Sequence, residues 1–177
     1  MSLVRPAVVA GSFYPGDATE LRSMVDGFLG ENCTLVMPRP KAMIVPHAGY
    51  EFSGPVAATA YAQLSPIADS ISRIVLLGPA HHVGFRGLAV CDSSFFETPL
   101  GKVSVDTESV KRILLLPQVH MLDKAHCVEH SLEVQLPFLQ VSLTNGFLLT
   151  PMVVGDASTQ EVAEVLNELW DGPESLL

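Results

Sequence analysis

Cysteines, basic residues and long apolar runs are all scarce in this sequence. Its three cysteines, Cys33, Cys91 and Cys127, show no C-x-x-C spacing, which argues against a cysteine metal cluster and indicates reduced thiols in a cytoplasm. No apolar run approaches the roughly 18 residues that a membrane span requires. Ten lysines and arginines are scattered among 19 acidic residues, so there is no basic stripe to meet nucleic acid. We therefore expect a cytoplasmic protein that binds neither membrane nor nucleic acid.

Apolar residues are abundant and follow an alternating pattern. Of the 177 residues 48% are hydrophobic, which suits a single domain over residues 1–177 with a large core. Short continuous apolar runs, typical of strands buried on both faces, alternate with amphipathic stretches that predict helices. The pattern predicts an α/β fold with a mostly parallel sheet covered by helices on both faces. The predicted strands span residues 42–45, 74–77, 88–90, 103–105 and 147–154, and the predicted helices span 18–29, 55–64, 107–115, 128–143 and 159–170.

Capping residues and prolines refine these boundaries. Asp17 predicts the start of the first helix, and Pro55 predicts the first turn of the second. Pro137 predicts a kink or break within the helix over 128–143, and Pro151 an irregularity or a sheet edge in the last long strand. Residues 103–105 are expected to pair near the strand over 88–90.

Histidines follow two of the predicted strands. His47 comes after the run over 42–45, and the pair His81 and His82 comes after the run over 74–77. Ligands of open α/β sheets bind beyond the carboxyl ends of strands, and neutral imidazole is a common ligand of transition metals. A loop histidine that bonds a backbone carbonyl is the alternative for each one alone. Together they predict a metal site, with one histidine of the pair as ligand and the other facing substrate or supporting the site.

A third segment, residues 127–135, contains Glu129, His130 and Ser131. His130 could act as an acid or base, or as a hydrogen-bond donor to bound oxygen. Alternatively, Glu129 and Ser131 only cap a helix and His130 faces solvent. Cys127 could be a ligand, although free cysteines are more often small buried hydrophobes. The sequence contains neither a phosphate-binding loop nor a Gly-x-Ser-x-Gly nucleophile elbow.

Several ordered motifs resemble the Memo family (mediator of ErbB2-driven cell motility), whose prokaryotic members are also called AmmeMemoRadiSam system protein B. They cover nearly the whole chain, in the order Ala10-Gly11-Ser12-Phe13-Tyr14-Pro15, Val45-Pro46-His47-Ala48-Gly49-Tyr50, Ser53-Gly54, Leu77-Gly78-Pro79-Ala80-His81-His82, Glu129-His130-Ser131-Leu132-Glu133 and Leu136-Pro137.

The resemblance implies a fold like that of the class III extradiol dioxygenases, which are non-haem iron enzymes. By motif, His47 and His81 match the metal histidines of the family, and His130 matches a histidine beside the metal. Fe(II) is the metal expected first, with Cu or Zn as alternatives. The prokaryotic family name implies two protein partners, an AMMECR1-like protein and a radical-SAM protein.

The family pattern continues past this sequence, through a Ser-Ser-Asp-x-x-His segment and a cysteine that completes the metal site. Residues 172–174 read as a loop and residues 175–177 as the beginning of a strand, which also predicts a domain truncated at the C-terminus. The third metal ligand is therefore expected beyond Leu177.

The functional hypothesis is a dioxygenase-like metalloprotein with a redox role. His47 and His81 would hold the metal, while His82, Glu129 and His130 would orient groups around it. Two alternatives stay open: a non-catalytic module that recognises a peptide or a small anion in the same pocket, and a metal-dependent hydrolase.

Overall fold

The structure is a computed structural model that describes residues 3–31, 40–170 and 172, and the backbone of residues 175–176. Its strands are β1 (Val4–Arg5), β2 (Arg73–Pro79), β3 (Leu88–Val90), β4 (Phe95–Thr98), β5 (Gly101–Val105), β6 (Val119–Met121), β7 (Leu148–Val154) and β8 (Ser175–Leu176). Its α-helices are α1 (Ala18–Gly30), α2 (Tyr50–Tyr61), α3 (Thr107–Ile113), α4 (Asp123–His126), α5 (Leu136–Ser142) and α6 (Thr159–Leu169). Two 3₁₀ segments, Ala62–Ser70 and Glu133–Gln135, follow α2 and precede α5.

Strand β7 lies inside the sheet and organises it. One side of β7 pairs in parallel with β2 over the full length of both strands. The other side has two partners, because β5 pairs in parallel with its beginning and β3 antiparallel with its end. The main order is β1-β4-β5-β7-β2-β8, and β6 extends the branch that starts at β3. Most of these pairings are parallel, so the predicted α/β fold is confirmed.

Both faces of the sheet are covered. Residues 149–153 of β7 are all buried, although consecutive side chains of a strand point to opposite faces. The helices that cover the sheet form two groups: α1, α2 and α5 pack on one another, while α3 packs on α6. Continuous apolar strands are the expected result of such double coverage.

Pro151 lies on β7 between the residues that pair with β5 and the residues that pair with β3. The β5 pairing ends at Leu149 and the β3 pairing begins at Val153, so one edge of β7 has no ladder partner at Pro151. A proline lacks the N–H that a ladder needs, and its position here agrees with the predicted irregularity.

The strand predicted over residues 42–45 is wrong. This segment forms no ladder with the described residues. Ile44 is fully exposed, while Met43 and Val45 on either side pack against the core. A continuous apolar run indicates burial on both faces, but here only alternate side chains are partly buried.

The pairing expected for residues 103–105 is also wrong. They belong to β5, whose neighbours are β4 and β7 rather than β3. The sequence pattern does not predict β4, because Phe95–Thr98 contains Glu97 and lacks a continuous apolar run.

The helices predicted over 18–29, 107–115 and 159–170 are confirmed as α1, α3 and α6. Asp17 caps α1 by accepting hydrogen bonds from the backbone N–H groups of Thr19 and Glu20. Helix α2 starts at Tyr50, five residues before the predicted start, and Pro55 lies inside it. Pro55 removes one backbone donor there, and its own side chain is exposed.

The single helix predicted over 128–143 is wrong. Only its second half is α-helical, and Pro137 occupies the first turn of α5 instead of a kink. Residues 128–132 form a turn, which the 3₁₀ segment links to α5. This turn brings Glu129 and His130 to the carboxyl end of β2.

Two further observations concern the chain as a whole. None of the helices within the described residues is long and apolar enough to cross a membrane. Residues 175–176 do form a strand, as expected, and β8 pairs in parallel with the beginning of β2.

Candidate metal centre

His81 follows directly from strand β2. The backbone beyond the strand is held in place, because Ala80 N–H donates to the carbonyl of Val154 (2.9 Å) and the Ser131 hydroxyl donates to the carbonyl of Pro79 (3.1 Å). Gly78 packs so closely on this turn that an added Cβ would lie 2.5 Å from Ser131 Oγ. The end of β2 and the turn at 128–132 therefore form one packed unit.

Residues 40–46, which lead to His47, form no strand, and contacts with other elements hold this loop in place. Gln135 Nε2 donates to the carbonyl of Pro46 (3.0 Å), and the N–H of Tyr50 donates to the carbonyl of Phe13 (2.7 Å). The Ser53 hydroxyl donates to the carbonyl of Ala48 (2.8 Å). Side-chain and loop contacts thus take the place of the ladder that the sequence predicted.

Glu129 is the organising carboxylate of the site. Its Oε1 accepts hydrogen bonds from His81 Nδ1 (2.8 Å) and from the backbone N–H groups of His130 and Ser131 (2.9 Å each). Its Oε2 accepts one from the backbone N–H of His81 (2.8 Å). Burial alone would raise the pKa of Glu129, but the hydrogen bonds from Ser131 and His81 outweigh it and lower the pKa to about 2.

An ionised carboxylate only accepts hydrogen bonds, so the proton of the neutral His81 ring lies on Nδ1. Nε2 of His81 then carries the lone pair that a metal needs. A carboxylate behind an imidazole in this way fixes the tautomer and orients the ring of metal-binding histidines.

Three histidines converge at this point. One ring nitrogen from each of His47, His81 and His130 lies within 4.8 Å of the other two. The ring centroids are 5.3 Å apart for His47 and His81, 6.0 Å for His47 and His130, and 4.5 Å for His81 and His130.

The remaining predicted site residues lie at the margin or outside this group. The ring of His82 is 6.1 Å from that of His130 and 6.4 Å from that of His81. His82 is exposed and is not among the three converging donors. Cys127 is exposed as well, and its thiol donates to the carbonyl of Asp123 (3.2 Å), which gives no support to a ligand role. Cys33 lies outside the described residues.

Burial favours the neutral form of two of the site imidazoles, His47 and His130. Burial lowers the pKa of His47, and the neighbouring His81 lowers it further, while Glu129 opposes both. Burial also lowers the pKa of His130, against an opposing effect of Glu129. Neutral imidazole is the form that binds metal, because its second nitrogen keeps a lone pair.

Two cavities open beside the histidines. One, of about 690 Å³, is bordered by His47 and His130 and has apolar walls that include Phe13, Ile44 and Val45. The ring of Phe13 lies 4.7 Å from that of His130. The other cavity, of about 450 Å³, borders His81 and His82. The metal-ligand candidates are therefore accessible to a ligand from solution.

A buried ion pair behind the site escaped the sequence analysis. Glu133 is fully buried and bonds the Arg5 guanidinium, the hydroxyl of Tyr14 (2.6 Å) and the backbone N–H groups of Val8 and Val9 (3.0 Å). The sequence shows that Glu133 follows Glu129 by four residues, but it does not show the partners of Glu133. Arg5 and Tyr14 lie more than 100 positions away in the chain.

Arg5 connects this ion pair to the site. Its guanidinium also donates to the backbone carbonyls of Glu129 (2.5 Å) and His126 (3.0 Å). His126 is itself buried, and its Nε2 bonds the carbonyl of Ala89 (3.0 Å).

The donor set fits a transition metal. Metal–nitrogen bonds of about 2.1 Å place two ligands of one ion at most roughly 4.2 Å apart, so a small inward movement brings the three nitrogens into range. Imidazole suits Fe, Cu and Zn alike, and the residues present therefore do not choose among them.

Comparison with known proteins agrees with the motifs. The family model described as Memo-like protein matches residues 5–176. A MEMO1 family protein of Ignicoccus hospitalis is 41% identical over 176 residues, 94% of this chain and 61% of the relative. Another from Aquifex aeolicus is 40% identical over 151 residues, 85% of this chain and 55% of the relative.

A third relative, from Sulfolobus acidocaldarius, is 38% identical over 94% of this chain and 62% of its own length. The chain thus spans about three fifths of the curated relatives it matches. The match extends over all three histidine-bearing segments, and the chain belongs to the Memo-like protein family.

Proposed function

We propose that this chain contributes a histidine metal site to a Memo-like protein with a dioxygenase-like redox role. The observation that supports it is the convergence of His47, His81 and His130, each supplied by a different loop, within 4.8 Å. Fe(II) is the metal proposed first, and Cu or Zn are the alternatives. Bound there, such an ion would supply open coordination positions for oxygen or an oxygen-bearing substrate.

The neighbouring residues have distinct parts in this proposal. His47 and His81 hold the ion, and Glu129 keeps the His81 ring oriented with Nε2 toward it. His130 lies close enough to be a third donor, and as a neutral base it is also able to accept a proton from a substrate hydroxyl. His82 faces the smaller cavity and orients substrate from that side.

Phe13 and the other apolar side chains that line the larger cavity present an apolar surface beside the histidines. A neutral, partly apolar ligand is therefore favoured there over a strongly hydrated one. The partners proposed for the whole protein, an AMMECR1-like protein and a radical-SAM protein, rest on the family name alone.

The first experiment measures metal. The chain is purified without chelators, its metal content is determined, and Fe(II) is titrated anaerobically. His47→Ala and His81→Ala should each weaken Fe(II) binding at least tenfold, because each removes one of few donors. His120→Ala is the matched control, since His120 is an exposed histidine on β6. Equal binding by all three variants contradicts the proposal.

The second experiment separates redox chemistry from simple binding. Oxygen uptake with catechol-like substrates is compared for the Fe(II)-loaded chain and for free Fe(II). Uptake above that of free iron, lost in His130→Gln at unchanged iron content, supports an acid–base role of His130. Metal binding without excess uptake would leave a non-catalytic binding module as the function.

A further inference from the structure

The opposite end of the sheet contains a third cavity, whose lining has a different chemistry. It has a volume of about 690 Å³ and lies where β2 and β7 begin. The histidine cluster lies beyond the end of β2, and a seven-residue strand puts roughly 20 Å between the two places. This cavity shares no lining residue with the larger cavity beside His47 and His130.

Three cations border this cavity: Arg22 from α1, Arg73 at the beginning of β2, and Lys102 on β5. They are a large share of the ten basic residues in a chain of net charge −9. None of the described residues that line the cavity is acidic. Charge of one sign in a cleft attracts ligands of the opposite sign, and the low-dielectric walls strengthen the field.

Two acidic side chains among the described residues contact the lining of this cavity, and a third lies opposite Lys102. Asp106 Oδ2 lies 3.7 Å from Arg73 Nε and neutralises part of its charge, while also bonding Ser109 in the cap of α3. Glu97 lies opposite Lys102 in the β4–β5 register, yet within the described residues no ion pair joins them. Asp69 accepts a hydrogen bond from Asn145 Nδ2 (2.8 Å).

Neutral polar groups complete the lining. Ser72, Ser104, Thr144 and Asn145 contribute hydroxyl and amide groups beside the cations. Two guanidinium groups suit planar or tetrahedral oxyanions, to which they donate paired hydrogen bonds. The volume suits a small molecule.

We propose that this basic cavity binds a small polyanion, a compound carrying two or more phosphate or carboxylate groups. The net negative charge and the presence of only three cations disfavour a nucleic-acid strand, which needs a longer basic path. Arg22 and Lys102 are exposed and contribute the charges that are easiest to remove without disturbing the fold.

Isothermal titration of the metal-free chain with pyrophosphate and, separately, with citrate tests the site at low salt. Binding by either anion supports the proposal, and the tighter one identifies the anionic group. Arg22→Gln and Lys102→Gln should each weaken binding by about fivefold, and the double variant by more. Lys124→Gln, at an exposed lysine on α4, is the matched control and should bind as the unaltered chain does.

Two further binding measurements distinguish anion binding in this cavity from binding at the histidine cluster and from binding of a nucleic acid. His47→Ala/His81→Ala should bind the anion with unchanged affinity, so failure of the metal proposal leaves this one standing. The proposal is overturned if neither anion binds, if the double variant binds as tightly as the unaltered chain, or if a single-stranded oligonucleotide binds more tightly than both anions.

Discussion

Glu129 accepts two hydrogen bonds from His81, one from the backbone N–H to Oε2 and one from ring Nδ1 to Oε1, each 2.8 Å long. The first fixes the backbone position of the residue and the second fixes the rotation of its ring. A metal ligand held at both points loses little conformational freedom on binding. The two residues are 48 positions apart in the chain, so the contact also joins two loops.

Replacing Glu129 tests this relationship. In Glu129→Gln only one side-chain oxygen remains to accept the hydrogen bonds that two carboxylate oxygens accept now. The ring of His81 therefore gains rotational freedom. Fe(II) affinity should fall roughly 10- to 100-fold, as is usual when the partner of a metal-bound histidine is removed. Anaerobic titration gives the affinity, and circular dichroism checks the fold.

Glu108→Gln is the control for this change, because Glu108 is an exposed carboxylate on α3 that pairs with Lys111. It should bind Fe(II) as the unaltered chain does. A folded Glu129→Gln variant with unchanged affinity would show that the carboxylate has no part in orienting the ring.

The second prediction concerns the buried ion pair of Arg5 and Glu133. Arg5→Met leaves the Glu133 carboxylate buried without its cation and should lower the free energy of unfolding by about 3–5 kcal/mol. Urea denaturation measures the loss. Lys111→Met, which breaks an exposed ion pair, should cost less than about 1 kcal/mol. Similar losses in the two variants would mean that the buried pair is not a major determinant of stability.

The third prediction concerns acid. Burial, and to a smaller extent Arg5, lower the pKa of His126 to about 4, although the bond to the Ala89 carbonyl and the charges of Asp123 and Glu129 oppose the shift. Below the unfolded pKa of 6.5 the unfolded chain binds a proton that the folded chain rejects, so stability falls as the pH is lowered toward 4. The loss should approach about 1.4 kcal/mol per pH unit from this residue.

His126→Gln isolates the effect, because its amide is able to donate to the Ala89 carbonyl but does not titrate. Urea denaturation at pH 7.0, 6.0 and 5.0 should show a shallower pH dependence in this variant. His120→Gln, at an exposed histidine, should retain the original dependence. Parallel curves for His126→Gln and the unaltered chain would exclude His126 as the source.

The fourth prediction concerns the contact between β2 and the turn at 128–132. Gly78→Ala places a Cβ about 2.5 Å from Ser131 Oγ and 2.9 Å from Leu132 Cδ2, so the turn has to move. We expect a loss of about 1–3 kcal/mol of stability and weaker Fe(II) binding, because Glu129 moves with the turn. Gly84→Ala meets no atom within 4 Å and should change neither quantity. Full retention of Fe(II) affinity in Gly78→Ala would uncouple the turn from the site.

The sequence predicted the fold class and the strand that precedes His81, because a continuous apolar run such as 74–77 needs no knowledge of its partners. It predicted the wrong context for His47. Met43 and Val45 are partly buried while Ile44 between them is exposed. This alternation depends on which residues pack beside the segment, and the apolar sequence of residues 42–45 does not specify them.

The turn that contains Glu129 and His130 could not be predicted from the sequence for a related reason. Residues 128–143 carry helix-compatible spacing, yet residues 128–132 fold as a turn because the carboxylate of Glu129 accepts the N–H groups of His130 and Ser131. Such side-chain bonds compete with the helix ladder. The burial of Glu133 with Arg5 depends on contacts across the whole fold, which local patterns do not record.

The distance along the chain between Arg5 and Glu133 has a consequence for the order of folding. These residues are 128 positions apart, and the turn that holds Glu129 receives its bond from Arg5 only when the two ends of this span have met. Contacts of such long range form late, because the entropy of closing the loop must be overcome first. A refolding chain would therefore acquire its metal affinity in its final kinetic phase, after most of its helices have formed. Metal added at the start of refolding would bind only in that phase and would not accelerate the earlier ones.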